Sequence, residues 1–356
     1  MILKIKIGLK VLKPPCLLLI ITIKYKGVIN MNMKKIGLTA LAASLVSVSA
    51  NAGSMSVSGG ASMNVTGHTG EGRNVGTSFS MGNQLTFTGS GELDNGLNVS
   101  LSFVLDQGDD TAIANAPFDS HSVTISSDAM GSLTLAGEGG TTATGNIAKT
   151  AAGNLWDAFD GLGTLNTVSF ATDLLTTVSA GANGFMYTSP ELTDGLTLVG
   201  SYVPKASSRE SGTGYGVNYS GFDGLTINYA SQDIVGTTSA LSGDHDVLKV
   251  SYVYGSFTGT VSNSDYSTGT AASNSEASSY AVSYSVSDEL SLTYGSETFE
   301  SGTAGDQDAD ITGISFAYTA GGMTLSGSMK DGENLVYGTG TVEDREQWTL
   351  GASFAF

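Results

Sequence analysis

Histidine, carboxylate and serine are the residue types that could support nucleophilic chemistry in this chain. His245 lies between Asp244 and Asp246, and a histidine held by a carboxylate beside a serine is the arrangement of serine hydrolases. Serine is so common in this sequence that its proximity to a histidine carries little information. The glycine-rich tract at 137–140 lacks the helix and lysine that follow a phosphate-binding loop. We therefore predict that the chain is not an enzyme.

The acidic residues offer the only metal chemistry that the composition favours. The runs 106–110 and 306–310 carry oxygen ligands that suit Ca²⁺ at the surface, although neither matches a defined calcium-loop motif. One Cys and three His exclude a disulfide scaffold and argue against a zinc cluster. The chain has 15 Lys+Arg against 33 Asp+Glu, so it lacks the basic clusters that bind phosphate backbones. We expect no cofactor, with surface Ca²⁺ as the one candidate, and no nucleic-acid partner.

A cleavable leader is predicted ahead of the structural part of the chain. Two lysines precede an apolar run at 36–48, and Ala50 and Ala52 are small residues at the −3 and −1 positions of a cleavage site. Residues 33–52 are therefore predicted to be a signal peptide, and residues 1–32 an over-extended start without a structural role. Cleavage after Ala52 removes eight of the 15 basic residues and none of the 33 acidic ones. The remaining chain has 7 basic and 33 acidic residues, which is a net charge of −26.

The predicted mature region, 53–356, alternates apolar and small polar side chains with a period of two. The clearest example is its last strand, where one face carries Trp348, Leu350, Ala352, Phe354 and Phe356. Short connections with the Gly and Asn chemistry of tight hairpins take turns with long polar loops. Seven short turns and eight long loops, with long loops at both outer positions, require sixteen strands.

Strands of about ten residues with one apolar and one polar face are typical of a transmembrane β-barrel. Lipid then covers the apolar face, which accounts for a charged fraction of only 13% against a typical ~25%. Closure is required because an open sheet edge cannot pair its backbone groups in hydrocarbon. The soluble alternatives are a large sandwich and a calcium-binding solenoid, and the nonapeptide repeat of the solenoid is absent. We predict an all-β fold, a 16-stranded antiparallel transmembrane β-barrel.

The ordered set of these features resembles the trimeric general porins of Gram-negative outer membranes, of the alphaproteobacterial type. Segment 85–101 is similar to the second and third strands of that family, and 131–138 to its fifth strand running into the third loop. The resemblance covers essentially all of 53–356. It implies a homotrimer in the outer membrane, in contact with membrane lipid, with a third loop that folds into the lumen and constricts the pore.

The resemblance also implies the functional residues. The third loop corresponds to 138–184, and its acidic residues are expected at the pore constriction: Asp157, Asp160, Asp173 and Glu138. The family opposes this loop with basic residues on the barrel wall, and strand phase here leaves three candidates: Lys249, Lys330 and Arg345. The aromatic C-terminal strand resembles the signal that the barrel-assembly machinery reads, carried by Trp348, Phe354 and Phe356.

The charge balance predicts the selectivity of such a pore. A net charge of −26 with few wall cations gives the lumen a negative potential, and rings of carboxylates favour cations. We predict an outer-membrane porin, a water-filled, cation-preferring channel for passive diffusion of small hydrophilic solutes and ions. A substrate-specific channel for sugars or amino acids on the same barrel remains an alternative, although the lumen-facing residues are mostly small and polar. A structural or adhesive barrel is the second alternative.

Overall fold

The computed structural model describes residues 53–70, 76–106, 120–147, 150–159, 183–205, 211–234, 242–335, 337 and 344–356. They form a closed antiparallel barrel of sixteen strands, in which each strand pairs with its neighbours in sequence and the first pairs with the last. The predicted fold class is confirmed. The predicted leader, 1–52, lies outside the described residues. No helix in the described part of the chain is long and apolar enough to cross a membrane.

The strand order follows the chain, and every predicted short turn falls at the junction of two strands. The strands are β1 (Ser54–Gly70), β2 (Gly76–Glu92), β3 (Asn98–Asp106), β4 (Ser120–Ser127), β5 (Gly131–Glu138), β6 (Gly184–Thr188), β7 (Leu196–Val203), β8 (Gly212–Phe222), β9 (Leu225–Ile234), β10 (Gly243–Tyr254), β11 (Phe257–Thr268), β12 (Ser275–Ser285), β13 (Leu290–Ser301), β14 (Ala309–Ala320), β15 (Met323–Glu333) and β16 (Arg345–Ala355). Short 3-10 helices occur at Leu155–Ala158 and Ala271–Ser273.

The strands extend farther toward the long-loop end than the hydrophobic pattern predicts. The polar composition of 231–246 and 266–278 predicts loops there, but β9 continues to Ile234, β10 begins at Gly243 and only 269–274 separates β11 from β12. At this end the outward positions become acidic, as in a cross-strand row formed by Asp246, Asp265, Glu276 and Glu300. Backbone pairing needs no apolar side chain, so the ladder continues after the hydrophobic period has ended.

The two faces of the barrel differ in chemistry, as period-two alternation requires. Large exposed apolar side chains occupy the outward positions, and the rings of Phe257 and Tyr284 pack with their centroids 4.7 Å apart. The inward positions carry hydroxyls that hydrogen-bond across neighbouring strands: Thr124 with Thr134, Ser251 with Thr260 and Ser283 with Thr293, each at 2.8 Å. The barrel therefore has an apolar outer surface and a hydroxyl-lined lumen.

The C-terminal residue completes the closure of the barrel. Phe356 donates its backbone N–H to the Gly59 carbonyl at 3.0 Å, and the Gly59 N–H donates to the Phe356 carbonyl at 2.8 Å. A Cβ at Gly59 would lie 2.5 Å from the Phe356 ring, so glycine lets the aromatic ring lie flat against β1. The last residue of the chain is thus part of the closing ladder.

The acidic row on the outward face should cost stability at low salt. Glu300 lies directly opposite Glu276, and like charges in such positions destabilise a sheet by about 0.2–1 kcal/mol. We expect Glu300→Gln to raise the midpoint of thermal unfolding in a buffer of about 0.01 M ionic strength, where the Debye length is ~30 Å. At about 1 M salt, where screening acts within ~3 Å, the difference should vanish. An equal shift at both salt concentrations would contradict repulsion as the cause.

Candidate functional site

The third connection lies against the inner wall of the barrel. Its described parts, 138–147 and 150–159, begin where β5 ends. They hydrogen-bond to inward-facing side chains of six strands: Ser201 on β7, Gln232 on β9, Lys249 on β10, Ser279 on β12, Glu297 on β13 and Gln347 on β16. We call β7–β16 the wall of the third loop. β1–β5 form the opposite side of the barrel.

The first half of the third loop is held by two hydrogen bonds and a small apolar contact. The Ala143 N–H donates to Ser201 Oγ at 2.9 Å, and Thr144 Oγ1 donates to Gln232 Oε1 at 3.0 Å. Ala143 also packs against Val199 and Ala230. Thr144 is fully buried, so its hydroxyl needs this partner to avoid the cost of an unpaired polar group.

Glu297 is the central attachment of the second half. Its side chain is fully buried and accepts hydrogen bonds from the Thr150 hydroxyl, from the Leu155 N–H at 2.7 Å and from the Trp156 N–H at 3.0 Å. The charge of Lys330 also acts on this carboxylate. A buried carboxylate is costly unless it is paired and hydrogen-bonded, and here the third loop supplies most of the donors.

A local turn presents these donors to Glu297. Asn154 has a φ of 65°, a left-handed conformation that asparagine tolerates better than most residues. Its side-chain oxygen accepts from the Thr150 N–H at 3.0 Å, and its own N–H donates to Thr150 Oγ1 at 2.7 Å. The 3-10 helix Leu155–Ala158 follows, and its first N–H groups point at the carboxylate.

An apolar cluster inside the lumen completes the attachment. Trp156 and Phe159 are buried against the barrel and against the segment that follows β15, in a cluster with Ala277, Phe299, Ala309, Ile311, Leu335 and Tyr337. Gln347 Nε2 donates to the Ala158 carbonyl at 2.7 Å beside this cluster. Trp156 and Phe159 therefore hold the third loop against the wall.

The predicted acidic residues take up different positions. Asp157 is exposed on the 3-10 helix of the third loop. Glu138 is half-buried at the end of β5, where it lies opposite His121 in the backbone pairing of β4 and β5. Asp160 and Asp173 lie outside the described residues. The described chain therefore brings one of the four carboxylates, that of Asp157, onto the segment that contacts the wall.

The three predicted wall cations all occupy inward-facing positions, but on the wall of the third loop. Lys249 Nζ donates to the Thr150 carbonyl at 3.2 Å, and the charge of Lys330 acts on the carboxylates of Asp157 and Glu297. Arg345 is only 4% exposed. None of the described residues of β1–β5, which lie across the barrel from the strands that bind the loop, is Lys or Arg. The wall opposite the third loop therefore departs from the basic pattern that the resemblance implied.

Glu297 was absent from the predicted site although its strand phase was readable. It is in phase with the inward Thr293 and Phe299, and a Glu at such a position between small residues is a usable signal. Ser201, Gln232 and Ser279 carry no such signal, because hydroxyl and amide side chains line the whole lumen. Their role depends on where the third loop passes.

The nucleophilic and metal arrangements weighed from the sequence do not assemble in the described residues. His245 faces inward, and its Nε2 lies 2.8 Å from Ser264 Oγ. Asp244 and Asp246 are on the opposite face of β10, so neither carboxylate can hold this imidazole. No three His, Cys, Asp or Glu side chains of the described chain converge as a metal site requires. The acidic residues of 306–310 are not part of such a group, and 107–110 lies outside the described residues.

Removing the Glu297 carboxylate should detach the second half of the third loop. We expect Glu297→Ala to leave three donors without an acceptor, at about 1–3 kcal/mol for each buried group, and Glu297→Gln to have a smaller effect. The measurements are single-channel current noise and proteolysis of the folded barrel within 142–159. Thr293→Val on the same strand, whose hydroxyl bonds Ser283 on the wall, is the control. Quiet, protease-resistant Glu297→Ala channels would contradict this attachment.

Comparison with known proteins assigns the family. A family model described as Gram-negative porin matches residues 37–356. Three similar solved structures are an anion-selective porin from Comamonas acidovorans, Salmonella typhi OmpF in complex with daunomycin and a variant of the Rh. blastica porin. The Comamonas porin has a TM-score of 0.63 at 15% identity, over 85% of this chain and 100% of its own. OmpF has a TM-score of 0.64 at 14% identity, over 86% of this chain and 98% of its own. The Rh. blastica porin variant has a TM-score of 0.60 at 18% identity, over 85% of this chain and 100% of its own.

No curated protein sequence matches the chain. At these identities the solved structures show a shared fold, and the anion selectivity of one of them is a property of that protein. The family model, in contrast, spans nearly the whole chain. The closed sixteen-stranded barrel and this match together show that the chain belongs to the Gram-negative porins, the channel-forming barrels of the outer membrane.

Proposed function

We propose that this porin is a homotrimeric, water-filled pore that prefers cations and lets small hydrophilic solutes diffuse passively. Export would use the signal peptide at 33–52, and the barrel-assembly machinery would read the C-terminal strand, in which Trp348 and Phe354 face outward and Phe356 closes the barrel. The observation that carries the selectivity is the position of the inward basic side chains.

Each inward cation is already engaged at the wall. Lys249 is hydrogen-bonded to the third loop, Lys330 is half-buried beside two carboxylates, and Arg345 is buried. A cation that is compensated by neighbouring oxygens and shielded from the lumen adds little to the potential that a permeating ion meets. We therefore propose that these residues hold the third loop and do not act as an anion filter.

The open side of the lumen has the opposite charge character. The described residues of β1–β5 present hydroxyls and amides to the lumen, together with the carboxylates of Glu92 and Asp106. The short turns, which face the periplasm in this family, contain no Lys or Arg and carry Asp94, Asp128, Asp194, Asp223, Asp288 and Glu289. Carboxylates at the mouth and along the open wall favour cation entry and oppose anions.

The third loop sets the narrow part of the pore in this proposal. Its attachment along the wall fills the side of the lumen next to β7–β16, so ions pass between the loop and β1–β5. Asp157 is exposed on the described loop, and we propose that it adds negative charge along this path together with Glu138, Asp160 and Asp173. Sixteen strands leave room for an aqueous channel beside such a loop.

The outward face of the early strands supports a subunit contact there. Outward positions of β1 carry Gly59, Ala61 and Gly67 beside Met and Val, so β1 itself contributes no aromatic side chain to this face. Close approach of protein surfaces in a membrane favours small residues, because van der Waals contact replaces the hydrophobic driving force. We propose the trimer contact at roughly 56–66 and 83–137.

The first test is the reversal potential of the refolded mature protein in planar bilayers under a KCl gradient. We expect a large steady conductance in steps of three and a reversal potential that shows K⁺ preferred over Cl⁻. Anion selectivity would overturn the proposal and indicate Lys249, Lys330 and Arg345 as a clustered filter. A small conductance blocked by one class of solute would instead indicate a substrate-specific channel.

A single charge on the third loop should change this selectivity. We expect Asp157→Asn to lower the K⁺/Cl⁻ permeability ratio roughly two- to fourfold, since one charge at ~10 Å in water contributes roughly 0.4 kcal/mol to each ion. Glu276→Gln removes the same charge from the outward face and serves as the control. Equal effects of the two substitutions would show that total charge, and not the loop, determines the selectivity.

A further inference from the structure

We propose that Gly295 sets the width of the pore by letting the third loop lie close to the wall. The inference rests on the proposed function in one respect, that the third loop forms the constriction. Ala281, Gly295 and Gly313 are cross-strand neighbours on β12, β13 and β14, and all three face inward. The adjacent row on the same strands carries larger side chains, those of Ser279, Glu297 and Ile311.

The small row forms a depression that receives the loop backbone. A Cβ built on Gly295 would lie well inside van der Waals contact of the Ala152 Cβ and 3.3 Å from the Ala152 Cα. A Cβ on Gly313 would lie 3.0 Å from Leu155 Cδ2. The loop therefore occupies the space that side chains at these two positions would need.

The close approach is coupled to the hydrogen bonds on both sides of it. Ala151 donates its N–H to Ser279 Oγ at 2.8 Å, and Leu155 donates to Glu297 at 2.7 Å. The intervening Ala152 must lie near the wall for both bonds to form. Two carbon atoms need ~3.5–4.0 Å, so a side chain at position 295 displaces Ala152 by about 1 Å or more. The wall behind is a continuous backbone ladder, so the displacement is toward the open lumen.

The cross-section of the pore therefore depends on the lack of a side chain at Gly295. Substitution at position 295 narrows the gap between the loop and β1–β5 without adding charge to the lumen. Conductance and the size limit for neutral solutes should then fall together, while the K⁺/Cl⁻ permeability ratio changes little. This separates the width of the pore from its selectivity.

The test is a double-mutant cycle on the full mature protein. We expect Gly295→Ala to lower the single-channel conductance and the swelling rate of liposomes in neutral sugars, and Gly295→Val to lower both further. In an Ala152→Gly background the same Gly295→Ala change should cause a much smaller loss, because the clashing methyl group is gone. Unchanged conductance in the single variants, or an equal loss in both backgrounds, would overturn the proposal.

A matched control exists on the opposite wall. Gly60 also faces the lumen, and a Cβ there would meet no atom closer than the Phe354 carbonyl oxygen at 3.4 Å, which is ordinary contact. Gly60→Ala adds the same methyl group to the lumen and should leave conductance near the wild-type value. Barrel formation is checked by the heat-dependent mobility of each variant in gels.

A second cycle is available if Gly295→Ala does not fold. Gly313→Ala is then tested with and without Leu155→Ala. A methyl group at position 313 lies closest to the end of the flexible Leu155 side chain, so this variant is easier to accommodate.

A cysteine variant distinguishes failure of this inference from failure of the proposed constriction. The mature chain contains no Cys, so Asp157→Cys provides a unique thiol on the exposed side of the third loop. A bulky cationic thiol reagent should lower its single-channel current if the loop borders the ion path. No change on labelling would overturn the loop as the constriction. A fall on labelling, together with unaffected Gly295 variants, would overturn only the seating of the loop on Gly295.

Discussion

The structure depends on one constraint, the need to pair every backbone polar group of a sheet whose outer face is apolar. A row of unpaired N–H and C=O groups cannot be satisfied in hydrocarbon, so the sheet must close. Closure here runs from Gly70 paired with Arg345 to the reciprocal hydrogen bonds of Gly59 and Phe356. Once the sheet is closed, alternation gives each strand one side chain for lipid and the next for water. The hydroxyl-rich lumen and the exposed aromatic outer surface both follow from that division.

A barrel of sixteen strands encloses more space than its own side chains fill, and the third loop occupies part of it. A polypeptide inside a lumen must satisfy its own backbone groups, and the wall supplies the partners through a few inward side chains. Glu297 is the clearest case, because a buried carboxylate and three donors of the loop need one another. Inward positions within β7–β16 therefore attach the described parts of the loop.

This arrangement also explains why the described basic residues of the lumen do not form a cluster opposite the loop. Lys249 and Lys330 lie where the loop carbonyl of Thr150 and the carboxylates of Asp157 and Glu297 are close. They compensate oxygen atoms at the attachment, and the wall across the lumen has no described Lys or Arg. The closed barrel is compatible with this charge pattern because the backbone that closes the sheet is independent of the side chains that face the lumen.

The sequence by itself determined the closed sixteen-stranded barrel, the short turns and the inward phase of the three cations, because period-two alternation and turn chemistry are local properties. It underestimated strand length at the long-loop end, where acidic outward residues end the hydrophobic period although β10 and β11 remain paired. Only the tertiary structure decided which inward residues hold the described parts of the third loop. Thr150 and Glu297 are 147 residues apart, and their contact depends on register accumulated across many strands and on the path of one loop. The close contact of Ala152 with Gly295 could not be predicted either, because nothing in the sequence distinguishes this glycine from the other glycines among the 48.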